Sequence, residues 1–106
     1  MDEAFDLSQG IVKCPSCGDG YTHHRRTTVY TVQGGEVGPT LTTRVDQMGG
    51  ASIEVDGEQN NPSSRRGAVV LHFECESQCK FDIQFIQHKG MTQVISKVID
   101  SPVKDA

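Results

Sequence analysis

The chain has 106 residues, of which 35% are hydrophobic, and a formal net charge of −4. That length suits one small domain whose apolar core alone gives marginal stability, so a crosslink is expected. The acidic sum opposes indiscriminate binding to nucleic acid.

Val, Ile and Thr number 25, against 7 for Leu and Ala together. β-Branched side chains suit a pleated surface and helix formers are scarce, so the expected fold class is all-β. Charge is uneven along the chain: residues 1–12 carry −3, 13–32 carry +2, 33–64 carry −4 and 65–89 carry +1.

Residues 1–10 read as an acidic, frayed arm that only Phe5 and Leu7 could pin to a sheet. The start has neither basic residues nor an apolar run, which predicts no secretory leader and a cytoplasmic location. A single domain is expected over 11–100, followed by a tail at 101–106. Ile11-Val12-Lys13 forms a short strand that enters Cys14-Pro15-Ser16-Cys17-Gly18. There Pro15 stiffens the turn between two cysteines, and Gly18 accepts a backbone conformation that a β-carbon resists.

Tyr21 to Val32 is dense in β-formers and holds His23-His24-Arg25-Arg26. Neither of its faces is cleanly apolar, so it is expected at a sheet edge. Glycines and Asn60-Asn61-Pro62-Ser63-Ser64 mark 33–66 as a long, flexible insertion. Inside it, Thr40–Asp46 and Ala51–Asp56 predict a hairpin across Gln47-Met48-Gly49-Gly50.

The clearest alternation follows. Val69, Leu71, Phe73 and Cys75 share one face of a strand, and Phe81, Ile83 and Phe85 repeat the pattern after Cys75-Glu76-Ser77-Gln78-Cys79. His88-Lys89-Gly90 reads as a turn, and Met91 to Asp100 as a third strand, although its apolar positions fit a helical stripe about as well.

Two close cysteine pairs, Cys14/Cys17 and Cys75/Cys79, supply the four soft ligands that a tetrahedral Zn²⁺ requires. Iron is a lesser candidate, because the second pair lacks the C-P-x-C-G form. Disulfides are the alternative and require an oxidising compartment. His23 or His24 could also replace one cysteine of the second pair. In the second pair three residues separate the cysteines, and Lys80 stands where a glycine is expected. Lys13 and Lys80 would offset part of the thiolate charge.

A knuckle, an insertion, a second knuckle on a hairpin and a third strand together resemble the rubredoxin-like zinc-ribbon group over residues 11–32 and 67–99. The knuckle, the Cys75-Glu76 pair and Gln87-His88-Lys89-Gly90 are also similar to small uncharacterised bacterial and phage zinc-ribbon proteins. The resemblance implies two knuckle hairpins, a C-terminal strand and structural zinc, in modules that commonly serve recognition.

His23, His24, Arg25 and Arg26, extended by Arg65, Arg66, His88 and Lys89, form either a binding patch or the solvated side of a strand. His72 and Glu74 share a strand face. A four-thiolate site leaves no open coordination position, and no catalytic constellation is visible otherwise, so no enzyme activity is expected. The expected function is recognition of another macromolecule, a protein within an assembly or regulatory complex. The alternative is nucleic acid, held through His23–Arg26 and Arg65-Arg66. Neither a membrane nor a small-molecule substrate is implied.

Overall fold

A computed structural model of the chain describes residues 5–6, 9–32, 39–55, 61–63 and 66–101. Expectations for the remaining positions, Arg65 and Leu7 among them, lie outside the described residues. Among the described residues eight strands and no helix form: β1 (Phe5–Asp6), β2 (Ile11–Val12), β3 (Thr22–Val32), β4 (Thr40–Asp46), β5 (Gly50–Val55), β6 (Ala68–Cys75), β7 (Lys80–His88) and β8 (Met91–Asp100). The all-β expectation holds. Six strands make one antiparallel sheet in the order β5-β4-β3-β6-β7-β8, and β1 pairs with β2 apart from it.

The large sheet is two meanders, β3-β4-β5 and β6-β7-β8, joined where β3 pairs with β6 from Thr22↔Cys75 to Tyr30↔Ala68. β3 is therefore central, with β4 on its other side from Arg26↔Asp46 to Val32↔Thr40. This corrects the edge position expected of it. Its mixed faces misled because Thr28 and Tyr30, polar by type, are buried. The hairpin expected within the insertion forms, and it extends the sheet rather than standing apart.

Within the arm, Phe5–Asp6 pairs antiparallel with Ile11–Val12, the pinning that Phe5 was expected to allow, although in a separate two-stranded sheet. β2 thus finds its ladder partner in β1, and the first knuckle runs from the small sheet into the large one.

Turn chemistry follows residue type. Between β4 and β5 the Asp46 carboxylate accepts from the Met48 amide at 2.8 Å, and Gly49 takes φ +108°. Between β7 and β8 the two-residue loop Lys89-Gly90 has both φ values positive, the geometry whose twist matches that of the flanking strands.

The predicted apolar rows meet as cross-strand partners: Val69↔Phe85, Leu71↔Ile83 and Phe73↔Phe81. On this face Cys14, Cys75, Cys79, Phe81 and Ile83 are buried as one cluster, with Val12, Phe73 and Phe85 packed against it. The opposite face holds a second cluster of Tyr30, Ala68, Val70 and Ile86. Core therefore lies on both sides of the sheet, and Ala68 and Val70 are more deeply buried than the half-buried Val69, Leu71 and Phe73.

Gly67 lies where β6 begins. A β-carbon there would come within 2.7 Å of the Tyr30 carbonyl oxygen on the adjacent strand, so the two backbones could not keep their spacing. Gly67→Ala is expected to lower unfolding stability by about 1–3 kcal/mol in denaturant titration.

Candidate metal centre and the charged strand beside it

The two cysteine loops converge at one end of the sheet. In the first, the Gly18 amide donates to the Cys14 carbonyl at 2.8 Å, the Cys14 amide donates to the Asp19 carbonyl at 2.9 Å, and Gly18 has φ +78°. That is the role expected of the glycine. In the second, the Gln78 amide donates to the Cys75 carbonyl at 2.9 Å and the Cys75 amide to the Cys79 carbonyl at 2.9 Å. Here Gln78 takes the positive φ, +70°, which explains how the wider loop closes with Lys80 after its last cysteine. The Glu76 amide donates to the Tyr21 carbonyl at 3.1 Å and ties this loop to the start of β3.

No two of the sulfurs of Cys14, Cys17, Cys75 and Cys79 are more than 4.8 Å apart. A zinc–sulfur bond of about 2.3 Å in a tetrahedron sets sulfurs about 3.8 Å from one another. The Cys17–Cys75 separation of 3.6 Å fits that figure and is far beyond a disulfide bond. None of the four cysteines is joined in a disulfide. Cys14, Cys75 and Cys79 are buried and Cys17 is exposed, so the site is rooted in the core and opens on one side.

As free thiols, the cysteines differ. Burial pushes the Cys14 thiol up from 9.0 to about 12, and burial likewise raises Cys75. Cys79 is lowered, first by the hydroxyl of Ser101, which lies 3.6 Å from its sulfur. Ser101 also lies 3.1 Å from the Ser16 hydroxyl, so the residue after β8 bridges both knuckles. Sequence reasoning missed Ser101, since no motif marks a serine that returns to a site from 22 residues away.

The histidines are elsewhere. His23 contacts the Glu76 carboxylate, and His24 bonds the Thr27 hydroxyl at 2.7 Å and the Gln47 amide at 3.1 Å. Neither belongs to the sulfur group, so the three-cysteine, one-histidine set is not what the fold brings together.

Along β3, Arg25 sits at a bulge in the pairing with β6 and faces Glu74 at 3.3 Å, while Arg26 faces Asp46 at 3.5 Å. Together with His23–Glu76, these contacts give every basic group of the cluster except His24 a carboxylate partner from a neighbouring segment. His72 is held between Asp82, 2.8 Å from Nδ1, and the Thr28 hydroxyl, 2.9 Å from Nε2. The order resembles a catalytic relay, but Thr28 is only 2% exposed, so its hydroxyl cannot meet a substrate. Arg25, Arg26, Asp46, His72, Lys80 and Asp82 border a cavity of about 270 Å³ on this side of the sheet.

Arg66, His88 and Lys89 lie past the other end of the β6-β7 ladder. Six residues of extended chain, about 20 Å, separate Arg66 from His72, so Arg66, His88 and Lys89 do not join His23–Arg26 in one patch.

No protein family, curated protein or solved structure significantly matches the chain. Among the described residues, no helix is long and apolar enough to cross a membrane.

Proposed function

We propose that Cys14, Cys17, Cys75 and Cys79 hold a structural Zn²⁺ in the manner of a zinc ribbon, and that the sheet it secures is a non-enzymatic recognition module for another protein. The observation that carries the reading is the convergence of four sulfurs from two loops, 58 residues apart for Cys17 and Cys75. The ion's contribution is to crosslink the loops; four thiolates and one divalent cation sum to −2 and leave no ligand position for substrate.

Protein is favoured over nucleic acid by charge. The carboxylates of Glu74 and Asp46 neutralise Arg25 and Arg26 locally, that of Glu76 occupies His23, and the chain as a whole is acidic. A patch that bound phosphates would gain affinity from displaced counterions, which requires cations that are not already answered. Anisotropy titrations with single- and double-stranded oligonucleotides at low salt are therefore expected to show no binding. Affinity that falls steeply as salt rises, and is lost in an Arg25→Ala, Arg26→Ala variant, would transfer the proposal to nucleic acid.

A further inference from the structure

The two knuckles do not protect their sulfurs equally. In each loop the first cysteine accepts backbone amides at sulfur: Cys14 from Ser16 and Cys17, and Cys75 from Ser77 and from Cys79, the last at 3.4 Å. Cys17 and Cys79 hold equivalent places as the second cysteines, yet their surroundings differ. Cys79 is fully buried, and the Ser101 hydroxyl stands 3.6 Å from its sulfur. Cys17 alone of the four is exposed, and the Cys75 sulfur lies 3.6 Å from its own.

We propose, on the structural-zinc reading above, that Cys17 is the sulfur through which a hydroperoxide oxidises the metal centre, and that Cys75 completes the reaction as a Cys17–Cys75 disulfide. The disulfide takes over the crosslink between the knuckles as the ion leaves.

Thiolate character and exposure decide which cysteines oxidise. Bound to zinc, all four sulfurs are thiolates, so exposure and hydrogen bonding are what separate them. Donors at Cys14, Cys75 and Cys79 draw charge from the sulfur, and burial of the same three keeps a polar oxidant away. Attack therefore falls to Cys17.

Its thiolate attacks the terminal peroxide oxygen: an S–O bond forms, the O–O bond breaks, and the departing alkoxide or hydroxide takes a proton from water. A sulfenic acid is left on Cys17. The Cys75 thiolate then attacks the Cys17 sulfur, forming the S–S bond and expelling hydroxide, which is likewise protonated. Each sulfur gives up one electron and the peroxide takes both. Two ligands are consumed, and only Cys14 and Cys79 remain for the ion.

The choice of partner decides what happens to the fold. A Cys14–Cys17 bond would stay within one loop and tie nothing else together. A Cys17–Cys75 bond joins residues 58 apart in the chain, one from each knuckle, and so restricts the unfolded state as the ion did. Closing the sulfurs to a bond length of about 2.05 Å is a shift of about 1.5 Å. With Cys75 buried in the core cluster, that shift falls to Cys17.

The test treats zinc-loaded protein with an equimolar amount of hydrogen peroxide beside a chromogenic zinc chelator that leaves the untreated protein loaded, with and without dimedone to trap sulfenic acid. Zinc release is expected, with a dimedone adduct at Cys17 in the trapped sample and a Cys17–Cys75 disulfide in the untrapped one, both located by peptide mass mapping. Calorimetry of the oxidised, zinc-free chain should keep a single transition that disappears when a thiol reductant is added in the presence of a strong chelator. Zinc retained under peroxide, a first adduct at a buried cysteine, a disulfide within either loop, or loss of the transition despite the Cys17–Cys75 bond would overturn the proposal and leave the metal reading standing. A chain that carries no zinc before treatment would overturn both.

Discussion

Removing the ion with a strong chelator, or exchanging Cys79 for serine, is expected to abolish cooperative unfolding of the protein. A structural zinc contributes about 10–16 kcal/mol in small domains, as much as the whole stability of a typical fold at about 5–15 kcal/mol. Among the described residues no other crosslink stands in for it: three of the four cysteines belong to the buried cluster with Phe81 and Ile83, against which Val12 of the first knuckle's strand also packs. Calorimetry should show a single transition with metal and none, or a broad one, without it. The two states should also respond oppositely to pH. With metal, thiolates are held far below their ordinary range, so stability is lost as acid protonates them and expels the ion. Without metal, the Cys14 thiol stands at about 12 against 9.0 in an open chain. Both states are then protonated below 9.0, and any residual structure weakens as pH rises above it, because only the unfolded chain ionises freely.

Phe81→Ala should cost about 3–5 kcal/mol, the range for a large aromatic deleted from a packed core. Phe81 is fully buried, stacks on Phe73 with ring centres 5.4 Å apart, and lies two residues from Cys79 in the same cluster. The cavity left behind would adjoin the sulfur atoms, so metal affinity in a competitive chelator titration should fall together with the unfolding midpoint. Met48, 86% exposed at the β4-β5 turn, provides the contrast. Its replacement by alanine should alter stability by less than about 0.5 kcal/mol.

What was legible in the sequence was local chemistry. Pro15, Gly18 and the alternation of Val69, Leu71 and Phe73 with polar neighbours each impose a conformation on the residues around them. The strands and turns they predict form where expected, and β8 resolves as a strand over Met91–Asp100. What was not legible was which strands lie side by side. β3 meets β6 across more than 50 residues of chain at Thr22↔Cys75, and no spacing rule encodes that register. The same register decides the fate of the basic cluster. Glu74 and Glu76 flank Cys75 in the sequence, yet only pairing with β3 shows that they answer Arg25 and His23. Gln78 is a third case. The sequence signalled a missing glycine after Cys79, but the positive φ falls one residue before that cysteine instead.

The most direct measurement is X-ray absorption at the zinc edge on protein purified without added metal, together with its metal content. One zinc per chain, surrounded by four sulfur atoms at about 2.3 Å, is the predicted result. A first coordination sphere containing nitrogen or oxygen, or a chain that folds cooperatively with its four thiols free and no ion bound, would contradict the crosslink on which the fold is argued to depend.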